Sequence, residues 1–100
     1  MTLEQLRIFL AVAERQHVTR AAEVLGLTQS AVSAAVSALE ARHGVRFFDR
    51  VGRRIVLTET GAAFMAEARA VLARAETAEM VLEDLAREHS FWCADWATFN

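Results

Sequence analysis

The sequence predicts a mainly α-helical chain: three short helices, a small two-stranded hairpin, then one long helix. Three observations carry that expectation. Twenty of the 100 residues are Ala and none is Pro; Ala is the strongest helix former and Pro the strongest breaker. Apolar residues recur at three- and four-residue spacing in two separate stretches, which puts them on one face of a helix each. Between those stretches, two short segments rich in Val, Ile and Phe flank Gly52, the composition and punctuation of a hairpin.

In LEQLRIFLAVAER the residues Leu3, Leu6, Phe9, Leu10 and Ala13 share one face, giving a first helix over about 3–15. Gln16 and His17 interrupt it. Thr19 is placed to cap a second helix, Arg20 to Leu25, with Ala21, Ala22 and Leu25 inward. Gly26 ends that helix in the left-handed conformation, and Leu27 fills the gap before the next. Thr28 caps a third helix that runs to about Arg42 and stops at Gly44. Two helices joined by a short turn containing Gly make a helix-turn-helix. Val45 to Asp49 and Arg54 to Leu57 then form a wing, joined through Arg50, Val51, Gly52 and Arg53. Residues 1–58 thus read as a winged helix-turn-helix domain, and Thr58 caps a linker helix over 59–89. The last stretch, SFWCADWATFN (90–100), holds both Trp, the only Cys and two of the six Phe. It reads as an atypical tail, disordered or non-native; if ordered, Trp92 and Trp96 pack on a neighbouring chain.

Composition removes several classes of function. The apolar fraction of 54% overstates the core, because so much of it is Ala. The longest uncharged run, Val24 to Leu39, is sixteen residues broken by Thr, Gln and Ser, too short and polar for a bilayer span. MTLEQLR has neither the basic start nor the apolar stretch of a signal peptide, and Cys93 has no intrachain partner for a disulfide. A cytoplasmic protein is expected. His17, His43 and His89 are scattered and Cys93 lies in the tail, so no catalytic residues, metal site or cofactor are expected.

The net charge of −2 conceals an asymmetry. Residues 1–58 carry eight Arg against four Glu and one Asp, a balance of +3; residues 59–100 carry three Arg against six Glu and two Asp, a balance of −5. A basic first part joined to an acidic second part points to a polyanion meeting only the first.

The third helix is where that polyanion is read. From Thr28 through Leu39 it has no charge on any face. Val32, Ala35, Val36 and Leu39 cluster on the packed side, leaving Ser30, Ser33, Ala34, Ser37 and Ala41 outward. Small outward side chains let a helix seat deeply in a DNA major groove, where hydroxyls reach bases or phosphates. Gln29, in the first turn, has an amide suited to an adenine edge. The amino end near Thr28, Gln29 and Ser30 attracts phosphate without a basic side chain. The alternative is a helix buried on all sides, its Ala and Ser reflecting composition only. The wing supplies the missing charge through Arg50, Arg53 and Arg54, and Arg20 adds a further phosphate contact. For each Arg the alternative is plain solvated charge, and for Arg50 an ion pair with Glu40 or Asp49.

On the long helix, Phe64, Ala68, Val71, Ala75, Ala78, Leu82 and Leu85 follow at alternating spacings of four and three. That heptad seam predicts pairing of two chains, with packing on the chain's own first helix as the alternative near Phe64 and Met65. A two-fold homodimer presents two recognition helices to an inverted-repeat site in double-stranded DNA. A second reading is an interaction module that forms mixed dimers with a longer regulator and inhibits it.

LEQLRIFLAVAE, TRAAEVLGLTQSAVSAAVSALEARHGVRFFDR and RRIVLTETG, running into the long helix, resemble the amino-terminal domain of the LysR-type transcriptional regulators over residues 1–89. The resemblance implies a bacterial DNA-binding transcription regulator, dimeric through antiparallel linker helices and able to assemble further, at promoter inverted repeats. It implies base contacts at Gln29, Ser30, Ser33 and Ala34, a phosphate contact at Thr28 and a wing contact at Arg53. Such regulators commonly have Pro where Ser30 stands and a larger polar residue at the place of Ala34. They also continue into a carboxy-terminal domain that senses a small-molecule effector, absent from this chain.

Overall fold

The computed structural model describes residues 1–88. His89 and the whole 90–100 tail, with Cys93, Trp92 and Trp96, lie outside the described residues.

Helix α1 (Leu3–Arg15) opens with a capping box: the Thr2 hydroxyl accepts from the Gln5 amide at 3.1 Å, and the Gln5 side-chain oxygen accepts from the Thr2 amide at 3.0 Å. It is the central helix, packed against α2 (Val18–Leu25), α3 (Gln29–His43) and α4 (Glu59–Glu88). Contact on several sides broadens its buried face beyond one stripe. Leu6, Phe9 and Ala13 join Leu39, Phe47 and Ala68 in one cluster, while Ile8, Ala11 and Val12 join Ala21, Ala22 and Val32 in a second. Phe9, Leu6, Leu39, Val12 and Val32 are fully enclosed, and each such side chain contributes about 1.5–3 kcal/mol of transfer free energy. Leu3, expected on this face, stays 42% exposed in the first turn.

Helix α2 begins two residues earlier than the sequence reading placed it. His17, not Thr19, is the cap. Its backbone is extended and its Nδ1 accepts from the Arg20 amide at 3.2 Å, so Thr19 falls inside the first turn. The imidazole acceptor replaces the hydroxyl or carboxylate that usually marks a helix start. At the other end Gly26 has φ +69°, and the Leu27 amide donates to the Ala22 carbonyl at 3.0 Å. Leu27 remains 37% exposed, so its backbone rather than its side chain closes the turn. Thr28 caps α3 by accepting from the Ala31 amide at 3.1 Å. Across this turn the chain bends by 107° between α2 and α3, within the usual helix-turn-helix range.

The wing is shorter than expected. Strands β1 (Phe48–Val51) and β2 (Arg54–Leu57) pair antiparallel with Phe48 opposite Leu57 and Val51 opposite Arg54. Arg50 and Val51 therefore belong to a strand, and the loop is Gly52–Arg53, with Gly52 at φ +65° in the first loop position, where tight hairpins favour glycine. Residues 45–47 precede the paired strand because Glu40 holds the Val45 and Phe47 amides, while the Phe47 carbonyl carries the register one step further to Thr58. The Val45 amide donates to the Glu40 carbonyl at 3.1 Å, the Phe47 amide to Glu40 Oε2 at 2.7 Å, and the Phe47 carbonyl accepts from the Thr58 amide at 2.9 Å.

Thr58 ties the wing to α4. Its hydroxyl donates to the Arg46 carbonyl at 2.6 Å and accepts from the Gly61 amide at 2.9 Å, capping the long helix. Buried Gly61 lets that first turn lie directly on Phe47. Phe64 then stacks on Phe47 with ring centroids 5.1 Å apart and tilts against Phe9 at 5.0 Å. Ala68 is completely enclosed. These two positions of the expected pairing seam are thus taken up by the chain's own core, a correction with a simple cause: the base of α4 lies along α1. Farther on, residues 76–88 are all exposed, and the molecule measures 59 Å along its length against 26 and 22 Å across.

Candidate nucleic-acid interface

Helix α3 presents the surface that the sequence singled out. Val32 and Leu39 are buried, Ala35 and Val36 half-buried, and Gln29, Ser30, Ser33, Ala34, Ser37 and Ala41 exposed. The buried side fixes the helix against α1 and α2, which leaves the serines and small methyls outward. Thr28 is exposed too; its oxygen accepts from the Ala31 amide, which leaves the hydroxyl proton available to an outside acceptor.

Two of the hollows beside this helix reach the wing. One, of about 670 Å³, lies between α3 and the wing, with Ser33 and Ser37 beside Val32, Val36, Phe48 and Ile55. The other, of about 540 Å³, brings Arg20 and Gln29 of the helix-turn-helix to Arg50, Arg53 and Arg54 of the wing. Val18, Arg50 and Ile55 line both. Arg20, Gln29 and the three wing arginines, separated by up to 34 positions in sequence, therefore face one concavity, while Ser30 and Ala34 lie outside both hollows on the open face of α3.

Arg50 does not form the ion pair considered for it. Glu40 is turned instead to the Phe47 amide, and the ion pairs among the described residues are Arg7–Glu4, Arg69–Glu14 and Arg87–Asp84. No carboxylate lines the second hollow. Concentrated, unneutralised guanidinium suits an oxyanion such as phosphate, because its planar fork of N–H donors binds two of the anion's oxygens at once.

The sequence reading passed over two residues on the rim of that hollow, Arg15 and His17. Nothing local marks them, because the α1–α2 turn meets the wing only once the chain is folded.

The exposed apolar side of α4 consists of Val71, Ala78, Val81, Leu82 and Leu85, with Leu82 66% exposed. At about 100° per residue these lie roughly a quarter turn from the side that packs on α1. Ala75, half-buried, lies between the two.

The comparisons with known proteins agree with this architecture. Residues 3–62 match the family model described as "Bacterial regulatory helix-turn-helix protein, lysR family". The chain belongs to the lysR family. Its similarity to the "RuBisCO operon transcriptional regulator" of Allochromatium vinosum is 45% identity over 85 residues, 85% of this chain and 28% of the relative. Among solved structures, it resembles the "CbnR_DBD-DNA complex" with TM-score 0.80 and 36% identity, covering 86% of this chain and 99% of that one. The "BenM_DBD/catB site 1 DNA Complex" gives TM-score 0.82 and 30% identity, covering 86% and 97%. The chain spans 27–29% of the length of the longer curated relatives it matches. Family and relatives are transcriptional regulators, and the fold here is the winged helix-turn-helix DNA-binding region of such a regulator, continued by a long helix. Among the described residues no single helix is long and apolar enough to cross a membrane; α2 and α3 qualify only when joined across their bend.

Proposed function

We propose that this lysR-family chain binds double-stranded DNA in a sequence-dependent way as a two-fold homodimer at inverted-repeat promoter sites. Helix α3 enters the major groove. Gln29 reads a base edge, Ser30, Ser33, Ala34 and Ser37 allow close approach, and Thr28 donates to phosphate. Arg20, Arg50, Arg53 and Arg54 hold the flanking backbone. The observation that carries this reading is the concavity in which Gln29 and four unneutralised arginines from distant parts of the chain converge beside the charge-free face of α3. The DNA complexes of CbnR and BenM domains with this fold support it.

Dimerisation is assigned to the exposed stripe of α4 from Val71 to Leu85, beyond the part that the chain's own core occupies. An apolar row on an otherwise charged helix is covered best by its own copy. The chain works in the cytoplasm, without catalysis or cofactor, and a small-molecule effector acts through a sensing domain carboxy-terminal to the DNA-binding region of the regulator.

The decisive experiment is selection of duplexes by the purified chain from a random pool, followed by gel-shift titration of the winner and a scrambled version. Enrichment of an inverted repeat, bound at least 100-fold more tightly than its scramble as specific binders do, is the expected result. Equal affinity for both duplexes overturns the reading.

A further inference from the structure

We propose that the turn between α1 and α2 is a second wall of the phosphate site: Arg15 and His17 grip the same stretch of DNA backbone that the wing arginines hold from the other side. This rests on the DNA reading above and adds two contacts that the recognition helix and wing do not include.

Arg15 and His17 line one hollow with Arg20, Arg53 and Arg54. Counting Arg50, five guanidiniums converge there, none of them in an ion pair among the described residues. No carboxylate among the described residues lines that hollow to offset their mutual repulsion, and a polyanion entering it relieves the repulsion. Arg15 ends α1, and Gln16 follows in the left-handed conformation at φ +49°, which turns the chain so that His17 can start α2.

His17 contributes differently from Arg15. Its Nδ1 accepts from the Arg20 amide, which places the ring proton of the neutral imidazole on Nε2. That leaves Nε2–H as a donor for an anion in the hollow. One side chain thus starts the helix and offers an uncharged hydrogen bond to phosphate. The two contacts carry distinct signatures: losing a cation reduces counterion release, whereas losing a neutral donor does not.

The test compares the full chain with Arg15→Gln and His17→Ser on a duplex selected from a random pool by the wild-type chain. Serine keeps a cap for α2 but has no donor of imidazole reach, and thermal unfolding of each variant checks that the fold is intact. Arg15→Gln should weaken binding about three- to ten-fold on selected and scrambled duplexes alike and flatten the log–log salt slope by about one. His17→Ser should weaken binding about two- to five-fold with the salt slope unchanged. Ethylation interference should show that the same backbone phosphates lose their effect in Arg15→Gln and in Arg54→Gln. Wild-type affinity in both folded variants, or loss of interference at different phosphates, overturns the shared grip while leaving the DNA reading intact. A wild-type chain that binds no duplex removes both.

Discussion

Residues with similar exposure have different expected roles, and mutation separates them. Gln29→Ala should relax base preference and cost about 1–3 kcal/mol on the preferred site, because a lost base-edge contact is felt only where the base matches. Arg53→Ala should weaken all duplexes together and flatten the salt slope by about one. Gel-shift titration over several salt concentrations separates the two, and retained discrimination in Gln29→Ala would remove its reading role. Gly61→Ala is a stability test. A Cβ there would fall on the Phe47 carbonyl oxygen and within 2.7 Å of a Leu57 methyl, so urea unfolding should show a loss of about 1–3 kcal/mol. Much at this scale was legible in the sequence: the apolar period of α3 gave its buried and exposed sides, since side chains three and four apart must share a face. The cap of α2 was not, because the His17 nitrogen accepts from the Arg20 amide only with its own backbone extended after a left-handed Gln16, and spacing does not reveal that.

Elements are held here chiefly by what happens at their junctions. The Thr58 hydroxyl donates to the Arg46 carbonyl and accepts from the Gly61 amide, so Thr58→Val should cost about 1–2 kcal/mol and loosen the base of the wing. Circular dichroism melting measures the first, and faster amide exchange at Phe47 the second. The long helix shows the limit of periodicity as a guide. A repeat of four and three establishes that Phe64 through Leu85 share a stripe, but not whether the chain's own helix or a copy covers it. Phe64 and Ala68 went to the former because Phe9 and Phe47 lie in reach. Leu82→Glu, at an exposed place on the stripe, should convert the proposed dimer to a monomer in sedimentation without lowering helix content; an unchanged dimer would reject the assigned surface. The wing was legible as a hairpin through Gly52, yet its first strand was set too early, since the hold of Glu40 on the Val45 and Phe47 amides is tertiary.

At the scale of the whole molecule, charge is sorted along the chain, and the fold concentrates it further. Residues far apart in sequence meet in one hollow, which no reading of local spacing anticipates. If each chain contributes three to four phosphate contacts, a dimer makes six to eight, and the logarithm of affinity should fall with the logarithm of salt at a slope of about −5 to −7. Fluorescence anisotropy from low to physiological salt measures this, and a slope near −2 would mean that the arginines do not touch the backbone. The corner formed by Phe47, Thr58 and Gly61 matters beyond stability. It sets the angle at which the long arm leaves the helix-turn-helix, and in the proposed dimer that angle would act as a ruler for the gap between the two heads. The number of base pairs separating the halves of the target is then written in a bend that never meets the bases, and altering that bend should retune the preferred gap while leaving the letters of each half unchanged.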